Sequence, residues 1–309
     1  MPPIIISALF MRVSKTESLQ GQAQAFIFVL LRCGFTFFPE NNQGDTKKTA
    51  IMAYDDSLYV VQEDWRRKRK PGIISLGDEA SFYRYIASQF LSVVESVQEK
   101  RGEVRIILSG GKTPIGINGQ IVSLAGDRDI RWEHVLIFFS DERCVPPDHP
   151  DSNYAMIRET LLHRLDIPRG NIFRFFGELG PEEAAQAYER SIVSVFKDGV
   201  SPDFDLILLG MGTDGHTASL FPGSISIRET KRYAVPGGKG PEGHDRVTLT
   251  YPLLNRGRKI WIMATGGKKQ DALRKLLYGP FNPGECPAQG ICPAHGELLY
   301  ILGEGLSDE

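Results

Sequence analysis

Cysteine is scarce in this chain: Cys33, Cys144, Cys286 and Cys292 are the only four in 309 residues. Their small number and irregular spacing exclude the disulfide framework of a small secreted domain and make reduced thiols the expectation. The pair in "CPAQGIC", with His295 beyond it, fits no common zinc spacing, so no metal is expected. An excess of charge of one sign is missing too. Lys and Arg number 36 against 38 Asp and Glu, a net charge of −2. The chain therefore lacks the electrostatic footprint of a nucleic-acid binder, and any small anion must be held by a local cluster. Long apolar runs are also lacking. "AQAFIFVLL" stops at Arg32, well short of the about 20 residues that cross a bilayer. There is no internal repeat, no low-complexity tract and no G-x-S-x-G nucleophile elbow.

Residues 1–71 read as an N-terminal extension of unassigned structure, and 72–309 as one catalytic domain. "AQAFIFVLL" has three readings: a buried strand, part of an unstructured extension, or the apolar region of a targeting signal. It begins more than twenty residues in and lacks a clear small-residue cleavage site. "WRRKRKP" resembles a nuclear-localisation patch and reads more simply as a solvated linker before a domain. Met52 is a plausible alternative start. The cytoplasm is the expected compartment, with organellar targeting by the extension as the alternative.

From Gly72 the pattern becomes regular. Phe82, Ile86, Phe90, Val93, Val94 and Val97 recur at helical spacing between Asp78, a candidate N-cap, and Gly102, a candidate stop. "EVRIILSGG" reads as a short buried strand, followed by a helix with Pro114 in its first turn. The alternation continues with strands "HVLIFFSDER", "NIFRFF", "FDLILLGMG", "KIWIMATGG" and "ELLYIL". Helices "SNYAMIRETLLHRL", "PEEAAQAYERSIVSVFKDG" and "KKQDALRKLL" lie among them, as does "RVTLTYPLLN". Strands so uniformly apolar cannot face water on one side. The pattern predicts a doubly wound α/β domain: a mostly parallel sheet with helices on both faces.

Four polar or glycine-rich stretches directly follow strands: "SGGKTP", "SDER", "GMGTDGH" and "TGGKK". In an open parallel sheet the carboxyl ends of the strands share one edge, and ligands bind in the crevice there. Gly110 and Gly111 let the backbone turn tightly, and the N–H groups opening the next helix suit a phosphate. A Walker loop is excluded because Ile106 stands where that pattern needs glycine. Gly210, Gly212 and Gly215 satisfy G-x-G-x-x-G, but Pro222 and Gly223 leave no room for the full helix that a dinucleotide needs behind it. Asp214 and His216 offer too few ligands for a metal. His216, flanked by glycines and close to Asp214, suits a general base, although an isolated histidine is as often a satisfied surface residue.

Taken together, "SGGKTP", "DERCVPPDHPDSNY", "GMGTDGHTASLFPG", "RVTLTYPLLN", "GGKKQ" and "PAHGELLYIL", in this order, resemble the glucosamine-6-phosphate isomerase/6-phosphogluconolactonase family, and within it the lactonase branch. The resemblance spans about Ile73 to Leu302. It implies a NagB/RpiA-like fold and hydrolysis of a phosphorylated sugar lactone, without cofactor or metal. It further implies that the backbone of Gly110, Gly111 and Lys112, with Thr113, holds the phosphate and that His216 activates water; by its chemistry Asp214 would orient His216 or stabilise its charged form. Asp141, Arg143, Arg246 and Lys269 would line the pocket. Lys112 departs from the serine usual in the family, and either meets the phosphate or points to solvent. The deaminase branch has tyrosine where Arg143 stands and glutamate where Phe221 stands, so an isomerase is the weaker alternative. A sugar-phosphate sensor without catalysis is another. No nucleic-acid or membrane partner is expected, and the chain is expected to be a monomer or weak homo-oligomer.

Overall fold

The computed structural model describes residues 71–196, 201–293 and 295–306, and the backbone of three strands nearer the N-terminus. The chain divides into two compact units, Met1–Lys70 and Pro71–Glu309. In the first, β1 (Thr36–Pro39), β2 (Ala50–Tyr54) and β3 (Ser57–Val61) form an antiparallel sheet in that order. The apolar run at 23–31 and the basic run at 66–70 lie outside the described residues.

The second unit opens with β4 (Gly72–Ser75) and α1 (Glu79–Arg101). The Asp78 carboxylate accepts the Ser81 N–H at 2.8 Å, and Gly102 ends the helix at φ +83°, a conformation open to glycine. Of the six apolar positions read from the periodicity, five are buried and Val97 is half-buried. Gln98 takes the next buried place, exchanging hydrogen bonds with the Arg131 backbone. Then follow β5 (Val104–Leu108), α2 (Lys112–Ala125), β6 (Val135–Phe139), β7 (Asp141–Arg143), α3 (Asn153–Ile157), β8 (Ile172–Phe173) and α4 (Pro181–Val195). The chain ends through β9 (Leu206–Gly210), β10 (Ala234–Lys239), β11 (Asp245–Leu249), α5 (Tyr251–Leu254), β12 (Lys259–Ala264), α6 (Gln270–Tyr278) and β13 (Glu297–Leu302).

Seven strands form one wholly parallel sheet in the order β4-β13-β12-β9-β5-β6-β8. Every residue of β6 is buried, as are nearly all of β9 and β12, which requires cover on both faces. The fold is thus a doubly wound α/β sheet. Phe138 of β6 stacks on Phe173 of β8 and meets Phe204 edge-on. The Tyr188 hydroxyl of α4 accepts the Phe139 N–H and donates to backbone carbonyls of Phe139 and Phe173, closing the ladder where β8 runs out.

Two features depart from the simple alternation. The helix from Asn153 passes into a π turn at Arg158–Leu162. "RVTLTYPLLN" divides into β11 and α5, and β11 joins a small antiparallel sheet of order β10-β11-β7. That sheet hangs on the carboxyl side of β6, and its register sets Arg246 opposite Arg143 and Thr248 opposite Asp141. Among the described residues no helix is long and apolar enough to cross a membrane.

Candidate active site

The winding direction reverses between β5 and β9. From β5 the chain steps outward through β6 to β8, then returns to the other side of β5 and proceeds through β9, β12 and β13. The crevice of a doubly wound sheet opens at such a switch point. "SGGKTP" leaves β5 and "GMGTDGH" leaves β9, on neighbouring strands paired at Ile107 and Ile207. "TGGKK" leaves β12, the next strand over.

The loop after β5 is built for a close backbone approach. Gly111 is the N-cap of α2 at φ +102°, and no side chain caps the helix, so its first N–H groups keep their donor capacity. Gly110 lies against the Asn153 amide: a β-carbon there would stand 1.8 Å from Asn153 Oδ1. Asn153 Nδ2 donates to the Asp141 carbonyl at 2.9 Å. Ser109 Oγ and Asn153 Oδ1 are buried polar atoms without a protein partner.

The Asp141 carboxylate, 6% exposed, ties the next strand to the histidine loop. Its Oδ1 accepts Ser140 Oγ at 2.8 Å and its Oδ2 accepts Ser219 Oγ at 2.7 Å, with Arg246 Nη1 at 3.6 Å. Contacts therefore run from Gly110 through Asn153 and Asp141 to Ser219, three residues past His216. Arg246 is buried and also pairs with Glu242, which stands 3.6 Å from Arg143 Nε. Arg143 donates to the Asp151 carbonyl.

In the loop after β9, Gly212 N–H donates to the His216 carbonyl at 2.9 Å and Thr217 Oγ1 to the Gly210 carbonyl at 2.8 Å. The turn demands its glycines. Gly215 adopts φ +84°, and a β-carbon on Gly212 would enter the His216 ring at 2.2 Å. Ala218, at φ +48°, is the non-glycine residue with positive φ among those described, a strained link between His216 and the anchored Ser219. His216 Nδ1 lies 2.6 Å from Asp214 Oδ1, which also accepts the His216 N–H at 3.1 Å. With Nδ1–H given to the carboxylate, Nε2 carries the lone pair. The imidazole is 29% exposed and packs on the Phe221 ring at 4.8 Å. Burial pushes the Asp214 carboxyl up, but the hydrogen bonds from His216 outweigh it and hold the group below the usual aspartate value.

The remaining cations differ in setting. Lys269 is half-buried, without a salt bridge among the described residues, and burial holds its pKa below the ordinary lysine value. Lys112 is exposed at the start of α2, and Thr113 beside it is half-buried. Glu142, Asn153, Ser219 and Glu242 help to assemble the site without having been singled out from the sequence. The available signal was position, since Glu142 and Asn153 fall inside "DERCVPPDHPDSNY" and Ser219 inside "GMGTDGHTASLFPG".

Residues 77–300 match the family described as glucosamine-6-phosphate isomerases/6-phosphogluconolactonase. A 6-phosphogluconolactonase of Synechocystis sp. is 40% identical over 208 residues, covering 66% of this chain and 84% of the relative. The 6-phosphogluconolactonase of Rattus norvegicus is 34% identical over 244 residues, covering 76% and 92%. The solved structure of 6-phosphogluconolactonase from Trypanosoma brucei superposes with a TM-score of 0.68 at 28% identity, covering 77% of this chain and 97% of that one. With the motifs standing at the switch point and the match spanning most of the second unit, the chain belongs to the glucosamine-6-phosphate isomerase/6-phosphogluconolactonase family.

Proposed function

We propose that the protein hydrolyses 6-phospho-D-glucono-1,5-lactone to 6-phospho-D-gluconate, with His216 as general base. The Asp214–His216 pair at the carboxyl edge of the sheet carries this reading, because its hydrogen bond leaves Nε2 as the basic nitrogen. A lactone carbonyl is already electrophilic. Water gives its proton to Nε2 as its oxygen bonds to the carbonyl carbon, and the tetrahedral intermediate collapses by breaking the bond to the ring oxygen. That oxygen takes the proton back from the imidazolium and becomes the hydroxyl of the open acid. Asp214 fixes the ring and stabilises its charged form between the two transfers. No covalent nucleophile takes part.

The phosphate is held at the first turn of α2 by the backbone of Gly110, Gly111, Lys112 and Thr113, where N–H groups and the helix dipole favour an anion. Arg143, Arg246 and Lys269 add positive charge. Asp141 acts on substrate only indirectly: both its oxygens already accept protein hydrogen bonds, so it positions Ser219 and Arg246. Phe221 packs on His216 where the isomerase branch of the family carries glutamate, which favours ester hydrolysis over proton shuttling between sugar carbons. The relatives named 6-phosphogluconolactonase support the same choice.

The test is the initial rate on freshly generated lactone, corrected for spontaneous opening. His216→Ala is expected to lose about 10²–10⁴-fold in kcat/KM. A wild-type rate no faster than the spontaneous one would sink the enzymatic reading, and an undiminished variant would remove His216 from the base role.

A further inference from the structure

Beside the cleft, and outside the groups assigned to the reaction, His149, Asp151 and His244 converge. One ligand atom from each lies within 4.8 Å of the other two. His244 Nε2 stands 2.9 Å from Asp151 Oδ2, and His149 Nδ1 stands 3.9 Å from the same oxygen. The two imidazoles meet edge-on, with ring centroids 5.5 Å apart. Nothing in the local sequence brings them together: His244 is 93 residues from Asp151 and arrives on the connection between β10 and β11.

We propose that these three side chains form a binding site for a divalent transition-metal ion of the zinc class, at the rim of the cleft and distinct from the catalytic pair. The donor set carries the argument. Two neutral imidazoles and one carboxylate offer two nitrogens and an oxygen, which suits zinc, cobalt or nickel and not the all-oxygen shells of calcium or magnesium. Around a tetrahedral ion with bonds of about 2.0–2.2 Å, ligand atoms stand roughly 3.4 Å apart. The separations of 2.9 and 3.9 Å bracket that value, and closing the widest gap from 4.8 Å takes only side-chain rotation. All three are at least partly exposed, so packing leaves room for that rotation once the ion replaces their mutual hydrogen bonds.

His149 already carries a lone pair at Nδ1, whereas His244 Nε2 faces the Asp151 carboxylate as a donor and ligates once its proton moves to Nδ1. His149 Nδ1 accepts the Asp151 N–H at 3.1 Å, so the tautomer that can ligate through this nitrogen is in place, and the ion takes over that acceptor position. Asp151 is held from behind, because its carbonyl accepts from Arg143. That contact orients the loop in the way outer-shell partners orient a metal-binding carboxylate. Three protein ligands leave at least one position open to water or an anion.

The experiment uses the full, untagged chain freed of metal by chelation. Cobalt(II) is titrated and followed by its visible d–d absorption, and zinc is then measured by displacement. Binding of one cobalt per chain is expected, without the thiolate-to-metal charge-transfer band that cysteine ligation would give. His149→Gln and His244→Gln are each expected to weaken binding about tenfold or more, while keeping lactonase activity in the presence of chelator, which verifies their fold. His216→Gln is expected to bind cobalt as the wild type does. The proposal is overturned by the absence of a cobalt spectrum, by a thiolate band, by unchanged affinity in His149→Gln and His244→Gln, or by loss of the ion in His216→Gln.

Discussion

Asp141 and Glu142 are adjacent carboxylates that meet burial in different ways. Asp141 has a guanidinium within reach, whereas Glu142, 3% exposed, has only neutral donors. Its oxygens accept N–H groups of Asn153 at 2.7 Å, Tyr154 at 2.8 Å and Arg143 at 2.8 Å, and the Ser152 hydroxyl at 3.1 Å. The charge thus sits on the opening turn of α3, where helix N–H groups favour an anion. Burial still dominates and pushes the carboxyl up. Glu142→Ala would strand those donors, at about 1–3 kcal/mol for each left unpaired. A loss of roughly 3 kcal/mol or more is expected in urea unfolding, and an unshifted midpoint would show that water or a rearranged turn replaces the carboxylate. Lys269 gives a pH test. Its pKa is held below the lysine norm by burial, and only the charged form attracts a phosphate. If Lys269 meets the phosphate as proposed, affinity for 6-phosphogluconate is expected to be full below that pKa and to decline as pH rises through it. Lys269→Met should bind about tenfold or more weakly near neutrality, in keeping with one lost charge-assisted hydrogen bond, and should lack the alkaline decline. Calorimetric titrations showing the same decline in both proteins would exclude Lys269 from the phosphate site.

At the scale of elements, α2 and α3 interlock through one glycine. A β-carbon on Gly110 would collide with the Asn153 amide, which cannot retreat because Nδ2 is bound to the Asp141 carbonyl and the backbone N–H to Glu142. Gly110→Ala should therefore displace the loop that opens α2. Misplacement of a binding group by about 1 Å costs on the order of 10²-fold in kcat/KM. Gly126→Ala, at the far end of α2 with φ −63° and nothing within 4 Å of where its β-carbon would stand, should leave the rate unchanged. Equal rates in the two variants would dissociate the loop from catalysis. Most elements were legible because apolar period and capping agree, as in α1 with Asp78 and Gly102. The small sheet was not. The sequence reads "DER" as the end of strand "HVLIFFSDER", whereas it breaks away as β7 because it pairs with β11, which is a tertiary matter. The π turn after α3 is equally silent in the sequence, since its apolar residues fit a regular helix.

For the molecule as a whole, the informative quantity is strand order, and periodicity does not encode it. Polar stretches at strand ends could be assigned to one edge from the parallel sheet alone. Only the order β12-β9-β5-β6 makes the loops after β9 and β5 neighbours across the switch point. The same reasoning marks what the site requires. The hydrophobic core among the described residues runs from Phe82 to Leu306, and the groups proposed for catalysis and phosphate binding run from Gly110 to Lys269. All of them fall within the unit Pro71–Glu309, whose strands complete their own seven-membered sheet. A chain of residues 71–309 is thus expected to unfold cooperatively and to hydrolyse the lactone with the kcat/KM of the full protein. Parallel assays of the two chains, with urea unfolding of each, measure this. A truncated protein that folds yet loses the activity would assign residues 1–70 a part in the site, and one that fails to fold would assign them a part in the core.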